Sequence, residues 1–145
     1  MQNNTFDDIY TDLIMEHSTN SPYQHNIDSP TCSLHGHNPS CGDDITLHLT
    51  LDNDIIKDAS FVGHGCAISQ SSTSIMIQTL IGKTLTEAKQ IIQTFIDMIE
   101  RKPITKEQKE LLGDSIAFEN ISNMPARVKC ALLSWRTLEK MIDEK

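Results

Sequence analysis

The run DITLHLTLD, Asp44 to Asp52, alternates without a break. Ile45, Leu47, Leu49 and Leu51 fall on one side, and Thr46, His48 and Thr50 on the other. A period of two cannot wrap into a helix. It specifies a half-buried strand whose apolar face has to be covered. Asp52-Asn53-Asp54 reads as a turn and Ile55 to Val62 as the returning strand of a hairpin. A shorter strand is expected around Ser33 to His37. The result is a small antiparallel sheet of three strands, with one face in need of helices.

The rest of the chain supplies them. Thr5 to His17 reads as an amphipathic N-terminal helix, with Phe6, Ile9, Leu13 and Ile14 at helical spacing and Thr5 and Asp8 as a capping pair. STNSPYQHNIDSP follows as a loop. Cys66 to Ile81 opens with the small residues CAISQSSTS, which let a helix approach other backbone closely, and Gly82 stops it. Thr84 to Glu87 forms a capping box ahead of a stripe of Leu85, Ala88, Ile92, Phe95 and Ile99. Lys106 to Leu112 is a short helix, and GDSIAFENISN reads as loop. Pro125 suits the first turn of a last helix with the stripe Val128, Leu132, Trp135, Leu138 and Ile142. Strands first and helices after is the pattern of an α+β fold, and residues 1–145 are expected to form one domain.

A chain of 145 residues is long enough to bury a core without disulfides. Its net charge of -8 argues against nucleic-acid binding, which needs clustered Lys and Arg. The polar, acidic start MQNNTFDDIY lacks a basic end and an apolar run, and no stretch approaches the roughly 20 apolar residues of a membrane span. A cytoplasmic protein that uses neither membrane nor nucleic acid is expected.

Chemistry is concentrated in the cysteines: Cys32, Cys41, Cys66 and Cys130. In a reducing compartment these are more often ligands, nucleophiles or inert core residues than disulfides. No C-x-x-C pair is present, so a metal site would have to be assembled from distant segments. Cys41 stands in NPSCGDD, two positions before Asp43, on a loop at a strand entrance. Cys66 follows Gly63-His64-Gly65 and begins a helix, where unpaired N–H groups and the macrodipole favour negative charge. Gly63 and Gly65 would let the backbone pass close to a bound ion. Cys130 points about 130° away from the centre of its helix's apolar stripe, off the main core side, though a helix can pack on two sides. Two readings stay open on these residues. Three thiolates and the Asp43 carboxylate converge on Zn²⁺ or an iron–sulfur species, or the cysteines are unrelated turn and packing residues.

Three blocks, NPSCGDDITL, FVGHGCAISQSSTSIM and PARVKCALLSWRTLEK, together resemble the SufU-type branch of the IscU/NifU iron–sulfur cluster assembly family. They occur in the family's order and span nearly the whole chain. Two features point to the SufU-type branch. ITKEQKELLGDSIAFENISNMPA, within a long gap between Cys66 and Cys130, looks like its insertion. Lys129 stands where IscU-type proteins carry a His before the last Cys.

The resemblance implies a small three-stranded sheet covered by helices, N-terminal helix first, and one Zn²⁺ held by Cys41, Asp43, Cys66 and Cys130. It implies a sulfurtransferase that accepts persulfide sulfur onto Cys41 from a PLP-dependent SufS-type cysteine desulfurase. A His of that desulfurase takes a zinc position and releases the Cys41 thiolate. The sulfur then passes to a separate cluster-assembly complex. The alternative is an iron–sulfur scaffold that binds a nascent cluster through the same three cysteines, and a purely structural, docking zinc domain is a third reading. Arg127 matches an Arg of the family block and is a candidate support for the anionic site.

Other residues are expected to be bystanders: Cys32 a strand or loop thiol, His64 a strand-end surface residue, and Trp135 core. His35 and His37 alternate near the sheet without a metal role. His48 shares the polar face with Thr46 and Thr50 and is expected to face solvent. Lys129 is a candidate for partner contact.

Overall fold

The computed structural model describes residues 5–39 and 42–144, with side chains from residue 11 onward. The elements run α1 (Thr5–Thr19), β1 (Cys32–Asn38), β2 (Asp43–Asp52), β3 (Ile55–His64), α2 (Ala67–Leu80), α3 (Leu85–Ile99), α4 (Lys106–Leu111), a 3₁₀ helix (Gly113–Asn123) and α5 (Pro125–Asp143). The capping pair Thr5 and Asp8, and the apolar Phe6 and Ile9, lie outside the described side chains.

The alternating run is the central strand of the sheet β1-β2-β3. Leu47 stands between Leu34 and Phe61, and Ile45 between Gly36 and Gly63. Ile45, Leu47 and Leu49 are buried on the helix side. The β2–β3 hairpin closes through Asn53 and Asp54, both with positive φ (52° and 64°). That is the type I′ turn, whose twist matches the strands and which Asn and Asp tolerate best after Gly.

Helices α2 and α5 cover the sheet's apolar face, and α3 packs on α5. Phe95 of α3 stacks on Trp135 of α5 with ring centroids 3.8 Å apart, and Phe118 meets Phe95 edge-on. The small-residue face of α2 does what its composition implies. Ser72 Oγ donates to the carbonyl of Ala131 at 2.7 Å and accepts from Trp135 Nε1 at 2.9 Å. β1 and α5 meet at Gly36, where a Cβ would sit 2.2 Å from Thr137 Oγ1. The Thr84–Glu87 capping box forms in both directions. Gly82, with φ +88°, turns the chain after α2.

Two expectations are corrected. GDSIAFENISN is a 3₁₀ helix rather than a loop. Ser115, Phe118 and Ile121 recur every third residue and are all buried, and three-residue turns place such positions on one edge. His48 is half-buried, not open to solvent. Its Nδ1 shares a 2.6 Å hydrogen bond with Ser33 Oγ, and its Nε2 is buried with no hydrogen-bond partner among the described residues. The adjoining 20–31 segment is irregular, as expected, but tied to the sheet. Phe61 N–H donates to Tyr23 O, and Thr31 N–H to Leu49 O. Among the described residues, no helix is long and apolar enough to cross a membrane.

Candidate metal centre

The sheet delivers its chemistry at one end. Asp43 is the first residue of β2, paired with Asn38 of β1, and β3 finishes beside it at His64, opposite Asp44. The chain must leave the sheet there and enter α2 at once. Gly63 makes that possible, because its φ is +127° and a Cβ would collide with the Asp44 carbonyl at 2.0 Å. At Gly65 a Cβ would lie 2.7 Å from Asp43 Oδ1, so the missing side chain leaves room for the carboxylate.

Cys66 is the N-cap of α2. Its backbone N–H donates to Asp43 Oδ1 at 2.9 Å, and its Sγ accepts from the Ser69 N–H at 3.4 Å. Gln70 braces the turn by donating from Nε2 to the Gly65 carbonyl at 3.0 Å. Cys130 arrives from the second turn of α5.

Ligand atoms of Asp43, Cys66 and Cys130 lie within 4.8 Å of one another. Asp43 is 0% exposed and Cys130 1% exposed. The donor set fits a metal ion. A buried carboxylate beside two thiols carries charge that needs a cation, and ligands at about 2.0–2.3 Å around a tetrahedral ion reach across such a spacing with small side-chain adjustments. Soft sulfur with one oxygen suits zinc or iron–sulfur chemistry.

The structure therefore brings together three of the four sequence-derived ligands. Cys41 lies outside the described residues. Cys130 is fully buried although it lies off the main apolar stripe. Helix α5 packs on a second side, where Ala131 meets α2 and Thr137 meets β1. Arg127 is exposed and shares with Cys66 a mostly apolar groove of about 640 Å³, bounded also by Ile14, Met15, Ile121 and Met124.

Cys32 begins β1 opposite Leu49, at the other end of the strand from Asn38 and Asp43. His64 and Lys129 are exposed. His35 pairs with Asp44 at 2.8 Å and stacks with His37 on the outer side. Sequence reasoning missed Ser69 and Gln70, whose only signal was their place in the first turn after Cys66.

A three-stranded sheet and two helices that carry a carboxylate and two thiols to one buried point define an α+β protein with a thiolate–carboxylate centre. The chain belongs to the family described as NifU-like N terminal domain, whose model matches residues 9–131. It is 40% identical over 138 residues to the zinc-dependent sulfurtransferase SufU of Bacillus subtilis, covering 95% of this chain and 92% of that protein. It is 35% identical to the iron–sulfur cluster assembly scaffold protein IscU of Thermotoga maritima, covering 92% of each. A crystal structure of a SUF-system protein from Fervidobacterium islandicum superposes with a TM-score of 0.85 at 41% identity, covering 92% of this chain and 96% of that one.

Proposed function

We propose that this protein is a zinc-dependent sulfur acceptor in iron–sulfur cluster assembly, with Cys41, Asp43, Cys66 and Cys130 as the ligands. The observation that carries the reading is the convergence of Asp43, Cys66 and Cys130 within 4.8 Å. The likeness to a zinc-dependent sulfurtransferase over nearly the whole chain supports it. Cys41 is two residues from Asp43, so covalent geometry keeps their α-carbons within roughly 7.6 Å.

Zinc, when bound, would keep its cysteine ligands deprotonated and temper their reactivity. Cys66 and Cys130 are anchored by α2 and α5, so Cys41 is the ligand suited to react. Its thiolate attacks the outer sulfur of a persulfide on a SufS-type cysteine desulfurase. A bond forms between Cys41 Sγ and that sulfur, the donor's S–S bond breaks, and the electron pair leaves on the desulfurase thiolate. The proton of the outer sulfur travels with it, leaving Cys41 as a persulfide for a downstream cluster-assembly complex. The groove beside Cys66 gives a persulfide on another protein a route to the site, and Arg127 at its edge offers a cation to the anionic sulfur. Thiol chemistry of this kind needs a reducing compartment, and we place the protein in the cytoplasm.

The IscU relatives favour a second reading, a scaffold for a nascent cluster. Lys129 in place of a His before Cys130 weighs against it. Elemental analysis with an absorption spectrum separates the two. About one zinc per chain and a colourless sample supports the acceptor. Iron with sulfide and a brown sample supports the scaffold. Cys41→Ala should abolish uptake of sulfur from a desulfurase supplied with cysteine, read by mass spectrometry; uptake at the native rate would overturn the assignment of Cys41.

A further inference from the structure

Serine and threonine inside a helix ordinarily return their hydroxyl proton to the carbonyl four residues back. Helix α2 follows this habit at Ser71, Thr73 and Thr79, which donate to Ala67, Ser69 and Ile75 at 2.6, 2.8 and 2.8 Å. Ser69 does not. The carbonyl four residues back is that of Gly65, and it takes its hydrogen bond from the Gln70 amide. Ser69 is 1% exposed, and its Oγ has no hydrogen-bond partner among the described residues. An unsatisfied buried hydroxyl carries a desolvation penalty, so its place calls for a reason.

That place is the metal centre. The Ser69 N–H donates to Cys66 Sγ. A Cβ on Gly65 would lie 3.0 Å from Ser69 Oγ, 2.7 Å from Asp43 Oδ1 and 3.2 Å from Asp43 Cγ. Hydroxyl and carboxylate thus flank the same side of Gly65, with the Cys66 sulfur on the same turn.

We infer that Ser69 is a positioning residue of the metal centre, its hydroxyl donating to the Asp43 carboxylate when that group turns an oxygen to the ion. The Cys66 N–H and the Ser69 O–H then hold the carboxylate from two directions. The gap left by the missing Gly65 side chain is the space in which it turns. This rests on the metal reading proposed above. Hydrogen-bond partners of metal ligands typically contribute about 10–100-fold in affinity.

Zinc affinity of the full chain, measured by competition with a chromophoric chelator, tests the inference alongside melting of the metal-stripped protein. Ser69→Ala should bind zinc about 10–100-fold more weakly. Its apo form should melt at or above the native temperature, because an unsatisfied buried hydroxyl has been removed. The cobalt-substituted absorption bands should shift as the carboxylate loosens. Native zinc affinity in Ser69→Ala would overturn the proposal. So would an affinity loss matched by an equal loss of apo stability, which would assign Ser69 to packing. A native protein that fails to bind zinc would instead overturn the metal reading itself, and Ser69 with it.

Discussion

The backbone N–H of Cys66 donates to Oδ1 of Asp43 at 2.9 Å across 23 positions of sequence. One bond therefore fixes the start of α2 against the start of β2, and sets a candidate thiolate ligand beside a candidate carboxylate ligand. Asp43→Asn isolates the two roles, because the amide oxygen still accepts the Cys66 N–H while the charge is gone. The apo variant should melt close to the native temperature. Its zinc affinity, measured by chelator competition, should fall by more than the ~10–100-fold typical of a residue outside the ligand set. Native affinity in this variant would remove Asp43 from the ligands.

His17 makes the stability of the α1 contact depend on pH. It is buried at the end of α1, its Nδ1 sharing a 2.6 Å hydrogen bond with Ser74 Oγ, which in turn bonds Ser21 Oγ. Burial pushes its pKa below the ordinary 6.5, against the opposing pull of Asp114 and Glu16. The ring is neutral in both folded and unfolded chains well above that value. As pH falls through 6.5 the unfolded chain takes up the proton first, so stability is lost until the folded ring also titrates. The melting temperature should drop over that window, and His17→Asn should flatten this part of the profile. An unchanged slope in the variant would rule His17 out as its source.

Ser72 joins α2 to α5 through two buried hydrogen bonds, one to the Ala131 carbonyl and one from the Trp135 indole. Ser72→Ala strands the Trp135 indole N–H in the core and removes the side-chain bond to the Ala131 carbonyl. A loss of about 1–3 kcal/mol in urea unfolding is expected, with zinc stoichiometry unchanged. A loss below about 0.5 kcal/mol would mean that neighbouring groups or water take over both bonds.

Local signals carried most of the architecture. The alternation from Ile45 to Leu51 specified a half-buried strand and its inner face, and Asp52-Asn53-Asp54 specified the turn that reverses it. The Thr84–Glu87 box and the Leu85–Ile99 stripe placed α3. The stretch from Gly113 to Asn123 escaped because a three-residue repeat of mixed Ser, Phe and Ile is neither a helix stripe nor a strand pattern. Its buried side is set by tertiary packing on α2, α3 and α5, as where Phe118 meets Phe95 edge-on.

By itself, the sequence determined the strand, the helix stripes and the residues able to bind a metal, because these depend on periodicity and on side-chain chemistry. The tertiary structure decided the rest. Cys130 lies off its helix's main stripe yet is sealed in, because α5 packs on two sides and a single periodic pattern records only one. Ser69 comes to lie beside Asp43 because the chain turns through Gly65 from β3 into α2, an arrangement of three dimensions that no spacing encodes. Asp43, Cys66 and Cys130 come from three separate segments of the chain. They meet only because β3 ends beside the start of β2 and α5 packs against the opening turns of α2.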